Sequence, residues 1–408
     1  MRDGNKDKSI KYGFIAAALA GMILYTWQLV MLHYNQTLYP ETGLYESDLY
    51  AHIEMALDGW GYSLVALLIK VLSFIPNLTV FRFALSLVLA SIEAVTVSTT
   101  YYFTRKRNIN TISALSITAI SAFAMPFYVK AIQPYRYIGY QSGNIWHNST
   151  YIAMKLAALV CVGLYLKISD KYKEEFHIKD VVLFAVVLTL ATGIKSNFLL
   201  AFAPAALLFL IVDLCGGTSI KRILVCGATV IPSLLVLLFQ RLVLFGDETG
   251  NGVIIDPLYS AYLRAEKPYF TMILSALFPV FVFIFEIVPA IKKLVKDIRD
   301  KNGFSSDRMF WFSWTMWFVS FVEFLLLRET GARELDDNFA WGYDFCLFFV
   351  FLVSLIIFYR NVSFGSRIKN KFLRIAYAVS GGAILFYQVY CGLYFFIRLT
   401  EGATFFMQ

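Results

Sequence analysis

Charge is what this chain lacks most. Only 16% of its 408 residues are Asp, Glu, Lys or Arg, against about 25% in an ordinary soluble domain. Histidine is scarcer still, with four in all (His33, His52, His147 and His177), which excludes a His-rich metal centre. The five cysteines (Cys161, Cys215, Cys226, Cys346 and Cys391) are odd in number, lie in or beside apolar blocks and form no CxxC pair. They read as small apolar packing residues and say little about redox compartment. The GxxxxGK[ST], HExxH and GxSxG patterns do not occur, so the phosphate-loop, zinc-protease and serine-hydrolase signatures are missing.

What fills the space is hydrocarbon: 59% of residues are hydrophobic, 17% aromatic, and mean hydropathy is +0.64. The apolar residues come in repeated blocks of about twenty, the length that crosses a hydrocarbon layer about 30 Å thick. We place about eleven spans, at 12–32, 80–103, 111–129, 150–166, 181–193, 198–214, 223–245, 270–291, 310–327, 341–359 and 372–396. The first follows a polar start with no small-residue cleavage site, and reads as a retained span. The expectation is an all-α, multi-pass integral membrane protein, a single polytopic domain over 1–408 with no separate soluble domain.

The segment 61–75 is apolar but only about fifteen residues long, at the short end for a crossing. Charge decides how to treat it. If it lies in the interface, the N-terminal Arg2, Lys6, Lys8 and Lys11 and the basic clusters around Arg105–Arg107, Lys167–Lys179, Lys221–Arg222, Lys292–Arg308 and Arg360–Arg374 all fall on one side, with about two-thirds of the 36 Lys and Arg. The positive-inside rule then puts the N-terminus in the cytoplasm and the C-terminus outside. Residues 33–79 become an external loop with juxtamembrane helices, the second of them amphipathic. The net charge of +8 is explained by these flanks, so no nucleic-acid partner is expected and membrane lipids are.

Four external segments concentrate polar residues. In the first, Ser47 is placed to cap a helix on which Asp48 and His52, four apart, share a face. A carboxylate there can accept a proton, with His52 tuning it or helping to bind a cation; the alternative is a solvated interfacial helix. The second, 130–148, holds Arg136, His147 and Asn148 among Tyr135, Tyr137, Tyr140, Trp146 and nearby Tyr151. It reads either as an interfacial aromatic belt or as a cup for phosphate or sugar built on Arg136 and His147 with Gly139 and Gly143. The third is a polar break carrying Lys195 near the outer interface, a functional candidate unless it snorkels. The fourth, 328–342, packs Arg328, Glu329, Arg333 and further acids ahead of Trp341; ordinary surface ion pairing is its alternative. The loop 246–268 adds Asp247, Glu248, Asp256, Arg264 and Lys267 to the same side. Within the spans, Glu93, Glu286 and Glu323 trace no relay, and Arg82 and Lys155 can snorkel. Asn-x-Ser/Thr triplets stand at Asn35, Asn77 and Asn148.

This layout resembles the GT-C superfamily of membrane glycosyltransferases, which includes protein O-mannosyltransferases, oligosaccharyltransferases and aminoarabinose transferases. The likeness lies in one span, then a long external loop opening on Glu46-Ser47-Asp48, then an amphipathic helix at 61–75, then a span that opens with Arg82 and ends in a basic turn. It covers about the first half of the chain; the rest matches in general topology only. The resemblance implies a polyprenyl-phosphate-linked sugar donor, Asp48 as general base, Glu46 as a second acid and inversion at the anomeric carbon. Charge and position add Arg136, Lys195, Arg264 and Arg333 as holders of the lipid phosphate. His52, His147, Asn148, Arg328, Glu329 and Trp341 are further substrate-site candidates. A divalent cation on Glu46 and Asp48 stays open. The chain departs from the family in having no large external domain after its last span. A lipid-linked or cell-surface glycan is therefore the expected acceptor, and a bacterial plasma membrane the expected setting. A polysaccharide polymerase, or a flippase or transporter of envelope glycan precursors, is the alternative.

Overall fold

Long runs of Leu, Ile, Val, Phe and Ala without charge satisfy their backbone polar groups only as helices when the surroundings hold no water, and the protein is helical almost throughout. The computed structural model describes residues 2–407 apart from 60–61, 174, 176, 246–251, 301–306, 364–367 and 405. The first half contains α1 (Arg2–Gln36), α2 (Tyr39–Thr42), α3 (Asp48–Leu57), α4 (Leu64–Leu72), α5 (Leu78–Arg105), α6 (Thr111–Phe123), α7 (Ser149–Ser169), α8 (Ile178–Ile194) and α9 (Asn197–Cys215). The second contains α10 (Ile220–Ala228), α11 (Ile231–Phe245), strand β1 (Gly252–Ile255), α12 (Tyr259–Arg264), α13 (Pro268–Ser275), α14 (Leu277–Arg299), α15 (Arg308–Leu326), strand β2 (Leu327–Thr330), a 3-10 turn (Gly331–Asp336), α16 (Phe339–Val362) and α17 (Lys371–Thr400).

Eight helical stretches among the described residues are long and apolar enough to cross a membrane, or nine if α13 and α14, bent by 69° at Ala276, form one span. This is a multi-pass, membrane-type helical protein. The difference from the sequence count lies in two short helices. The helix α8 has 17 residues. The block read as a span over 111–129 is helical for only 13 residues, as α6, and continues as extended chain. At that depth non-helical backbone survives only inside protein, and here several of the freed groups find partners there. The Asn144 side-chain amide donates to Ser121 O (3.0 Å) and Ala124 O (2.8 Å), replacing the next helical turn. Met125 N donates to Gln388 O of α17 (3.0 Å), and Phe127 N to Leu274 O of α13 (3.1 Å). Lys155 does not snorkel: its ammonium donates to Gly143 O and Asn144 Oδ1, each at 2.7 Å, over the Phe348 ring.

The segment 61–75 becomes α4, nine residues capped by Ser63, hence about 14 Å long and less than half the apolar layer. Its Val65 and Ile69 pack with Leu49 and Ile53 of α3 and Phe81 and Leu85 of α5. Leu67 and Val71 remain exposed on the other face. The central element is α16, buried continuously from Phe339 to Ile356, as a helix apolar on every side must be. Gly143 and Gly342 let chains close on it. A Cβ at Gly143 would lie 2.5–2.9 Å from the Phe348 side chain and backbone, and one at Gly342 2.8 Å from Asn197 O. The two charged loops meet: β1 and β2 pair antiparallel, with Val253 opposite Glu329 and Ile254 opposite Arg328. Asp247 and Glu248 lie outside the described residues.

Candidate functional site

The site is built where α3, the start of α7, the α8–α9 break and the start of α16 converge. Ser47 accepts from Leu49 N (3.2 Å), capping α3 as expected. Asp48 is the first residue of α3, and its side chain is 35% exposed, so it is open to a substrate. Asn148 caps α7 with Oδ1, which accepts from Tyr151 N (2.8 Å), while its Nδ2 donates to Asp48 Oδ2 (2.6 Å). Thr150 Oγ1 donates to Asn148 Oδ1 (2.7 Å), and Lys195 Nζ donates to Thr150 Oγ1 (3.0 Å). A continuous hydrogen-bonded chain thus runs from ammonium to carboxylate: Lys195, Thr150, Asn148, Asp48. Asn148 is only 3% exposed, so its Asn-Ser-Thr triplet serves as cap and bridge and is closed to glycosylation.

The two histidines flank this chain. His147 Nε2 is 4.0 Å from Asp48 Oδ2, and His147 O accepts from Asp48 N (3.1 Å). His52 Nδ1 meets Ser149 Oγ at 2.8 Å. Burial lowers the pKa of His147. Burial also lowers that of His52, to about 4; Asp48 opposes this, while Lys195, His147 and Arg333 add to it. Both rings are therefore neutral near pH 7. Trp341 closes the floor, with the Lys195 ammonium 4.9 Å from its ring centre and the His147 and Tyr151 rings at 6.0 and 5.9 Å. Arg333 and Glu329 lie within electrostatic range of Lys195. They pair with each other at 3.5 Å, and Glu329 also accepts from Asn338 Nδ2 (2.5 Å).

Beside this cluster opens a cavity of about 850 Å³. Its lining includes Thr150, Lys195, Asn197, Glu329 and Arg333, and a leucine-rich wall of Leu200, Leu234, Leu237, Leu238 and Leu242 from α9 and α11, broken by Gln240 and Arg241. A void that joins cations to a leucine-rich wall matches an amphiphile with an anionic headgroup.

Several predicted site residues lie elsewhere. Arg136 is held between the Tyr128 and Tyr394 rings, 4.3 Å from each centre, near the end of α17. Gly139 and Gly143 form no cup with it: Gly139 (φ +95°) sits against Gln133 and Arg264 O, and Gly143 against α16. Glu46 lies by Tyr39 and does not join Asp48. Arg328 is spent on Asp256 (3.1 Å) and Glu334 (2.8 Å) in the β ribbon. Arg264 sits near His147 but is ion-paired with Asp337. Among the described residues no three His, Cys, Asp or Glu side chains converge to hold a metal. Thr150 has no signal in the sequence beyond its place in the Asn-Ser-Thr triplet, and Arg241 resembles any basic residue near a span end. No protein-family model matches the chain, and no curated protein matches it in sequence.

Proposed function

We propose that this protein is a GT-C-like inverting glycosyltransferase of the cell membrane, with about eleven spans, the N-terminus in the cytoplasm and the C-terminus outside. It moves a sugar from a polyprenyl-phosphate-linked donor to a lipid-linked or cell-surface glycan. The observation that carries this reading is the juxtaposition of an accessible carboxylate, Asp48, with a large cavity lined by cations and a leucine-rich wall. The donor's lipid lies along α9 and α11, with its phosphate at Lys195 and Arg333. Asp48 takes the proton of the acceptor hydroxyl as that oxygen attacks the anomeric carbon from the opposite face. The bond from that carbon to the phosphate oxygen breaks, and its electron pair returns to the phosphate beside the two cations. Stabilising that developing charge is where such a site gains most. Asn148 holds Asp48 in place and, through Thr150, ties its position to that of Lys195.

Of the glutamates that a transporter would need, Glu93 and Glu286 are engaged apart from one another, and Glu323 makes no ion pair or hydrogen bond among the described residues. Glu93 meets His33 and Tyr25, both at 3.3 Å, and Glu286 accepts from Asn361 (2.6 Å). The test is sugar transfer from lipid-phosphate-linked donors in proteoliposomes. Asp48→Asn is expected to reduce transfer at least about 100-fold, the usual contribution of a general base, with normal expression and donor binding. Undiminished transfer by that variant would overturn the assignment.

A further inference from the structure

The leucine-rich wall of the cavity carries a polar pair that the transfer chemistry does not use. Gln240 and Arg241 interrupt the Leu, Val and Phe run of α11, and both line the cavity. Gln240 is 3% exposed. Its Nε2 donates to Tyr62 O (3.1 Å) and Gly193 O (3.2 Å), which ties α11 to the end of α8, two residues before Lys195. Its Oε1 is buried and has no partner among the described residues. Arg241 is exposed and makes no ion pair or hydrogen bond among the described residues.

The other cations of the cavity differ in how they are engaged. Arg333 is occupied by Glu329 (3.5 Å) and Asp336 (3.3 Å). Lys195 touches Thr150 and the face of Trp341 but no carboxylate. Among the described residues, Lys195 and Arg241 thus face one cavity without an acid in contact. A single phosphodiester brings one negative charge, which Lys195 answers with the acid-paired Arg333 beside it. A second uncommitted cation, and a guanidinium whose planar fork fits phosphate oxygens bidentately, asks for a second anionic group on the same ligand. The unpartnered Gln240 Oε1 beside it offers an acceptor to a hydroxyl of that ligand.

We propose that Arg241 determines headgroup specificity, so that the cavity selects a lipid diphosphate over a lipid monophosphate, one phosphate at Lys195 and the other at Arg241. This rests on the lipid-phosphate reading above. The test measures the affinity of the purified full-length protein in detergent for farnesyl monophosphate and farnesyl diphosphate. The diphosphate should bind about ten-fold or more tightly than the monophosphate, as one further charge-assisted contact gives. Arg241→Gln should remove that advantage and leave monophosphate affinity unchanged, whereas Lys195→Gln should weaken both. Equal affinity of the two probes for the unaltered protein would overturn the proposal, as would an Arg241→Gln variant that keeps the preference or loses both ligands alike. In each of those cases the lipid-phosphate reading stands. Failure of both probes to bind the unaltered protein would overturn that reading and this proposal together.

Discussion

At the scale of single residues, the site works by making one side chain do two jobs. Asn148 spends its carbonyl on the α7 cap and its amide on Asp48, so helix geometry sets the position of the carboxylate. The neighbouring His52 gives a pH signature. Its folded pKa of about 4 lies below the ordinary imidazole value near 6.5, so between those values the unfolded chain takes up a proton that the folded protein refuses. Stability must therefore fall as pH falls through that window, by up to about 1.4 kcal/mol per pH unit from this group. His147, lowered in the same sense, adds its own share. Thermal unfolding in detergent from pH 7 to 4 should show a shallower loss for His52→Gln than for the unaltered protein; parallel curves would rule the effect out. Asp48 and Lys195 were legible as candidates because charge is rare in this chain. Arg136 was equally conspicuous, but its cation is sandwiched between two tyrosine faces, a pairing across 258 residues in the case of Tyr394 that spacing cannot reveal.

At the scale of elements, the decisive feature is the extended chain after α6. Hydropathy carries the block on to 129, yet the helix stops at Phe123, because Asn144 supplies from afar the donors that the next turn would have given. The cost of that arrangement is close contact with α17. A Cβ on Gly392 would lie 1.5 Å from Phe123 O, so only glycine fits. Gly392→Ala should destabilise the protein by about 1–3 kcal/mol, as overpacking does, seen as a lower unfolding temperature; an unchanged temperature would show that α17 is free to move away. The sequence announced α3 with its Ser47 cap, since local capping chemistry is written in adjacent residues, and a short helix within 61–75, whose Ser63 cap it did not announce.

At the scale of the whole molecule, Thr42→Cys and Lys371→Cys in a cysteine-free background test the orientation. An impermeant thiol reagent should label the first from outside and spare the second, and the reverse pattern would invert every assignment of side. Composition, block length and charge distribution by themselves determined that this is a multi-pass helical protein whose polar residues gather in a few loops, because those properties follow from solvation and need no knowledge of neighbours. Only the tertiary structure decided which loops meet. It closed β1 on β2, set Lys195 over Trp341, joined Asp48 to Asn148, and left Arg136 and Glu46 outside. The reason is physical: hydropathy along a chain reports what each segment wants around it, whereas a site depends on which distant segments supply it, and that is settled by packing around α16.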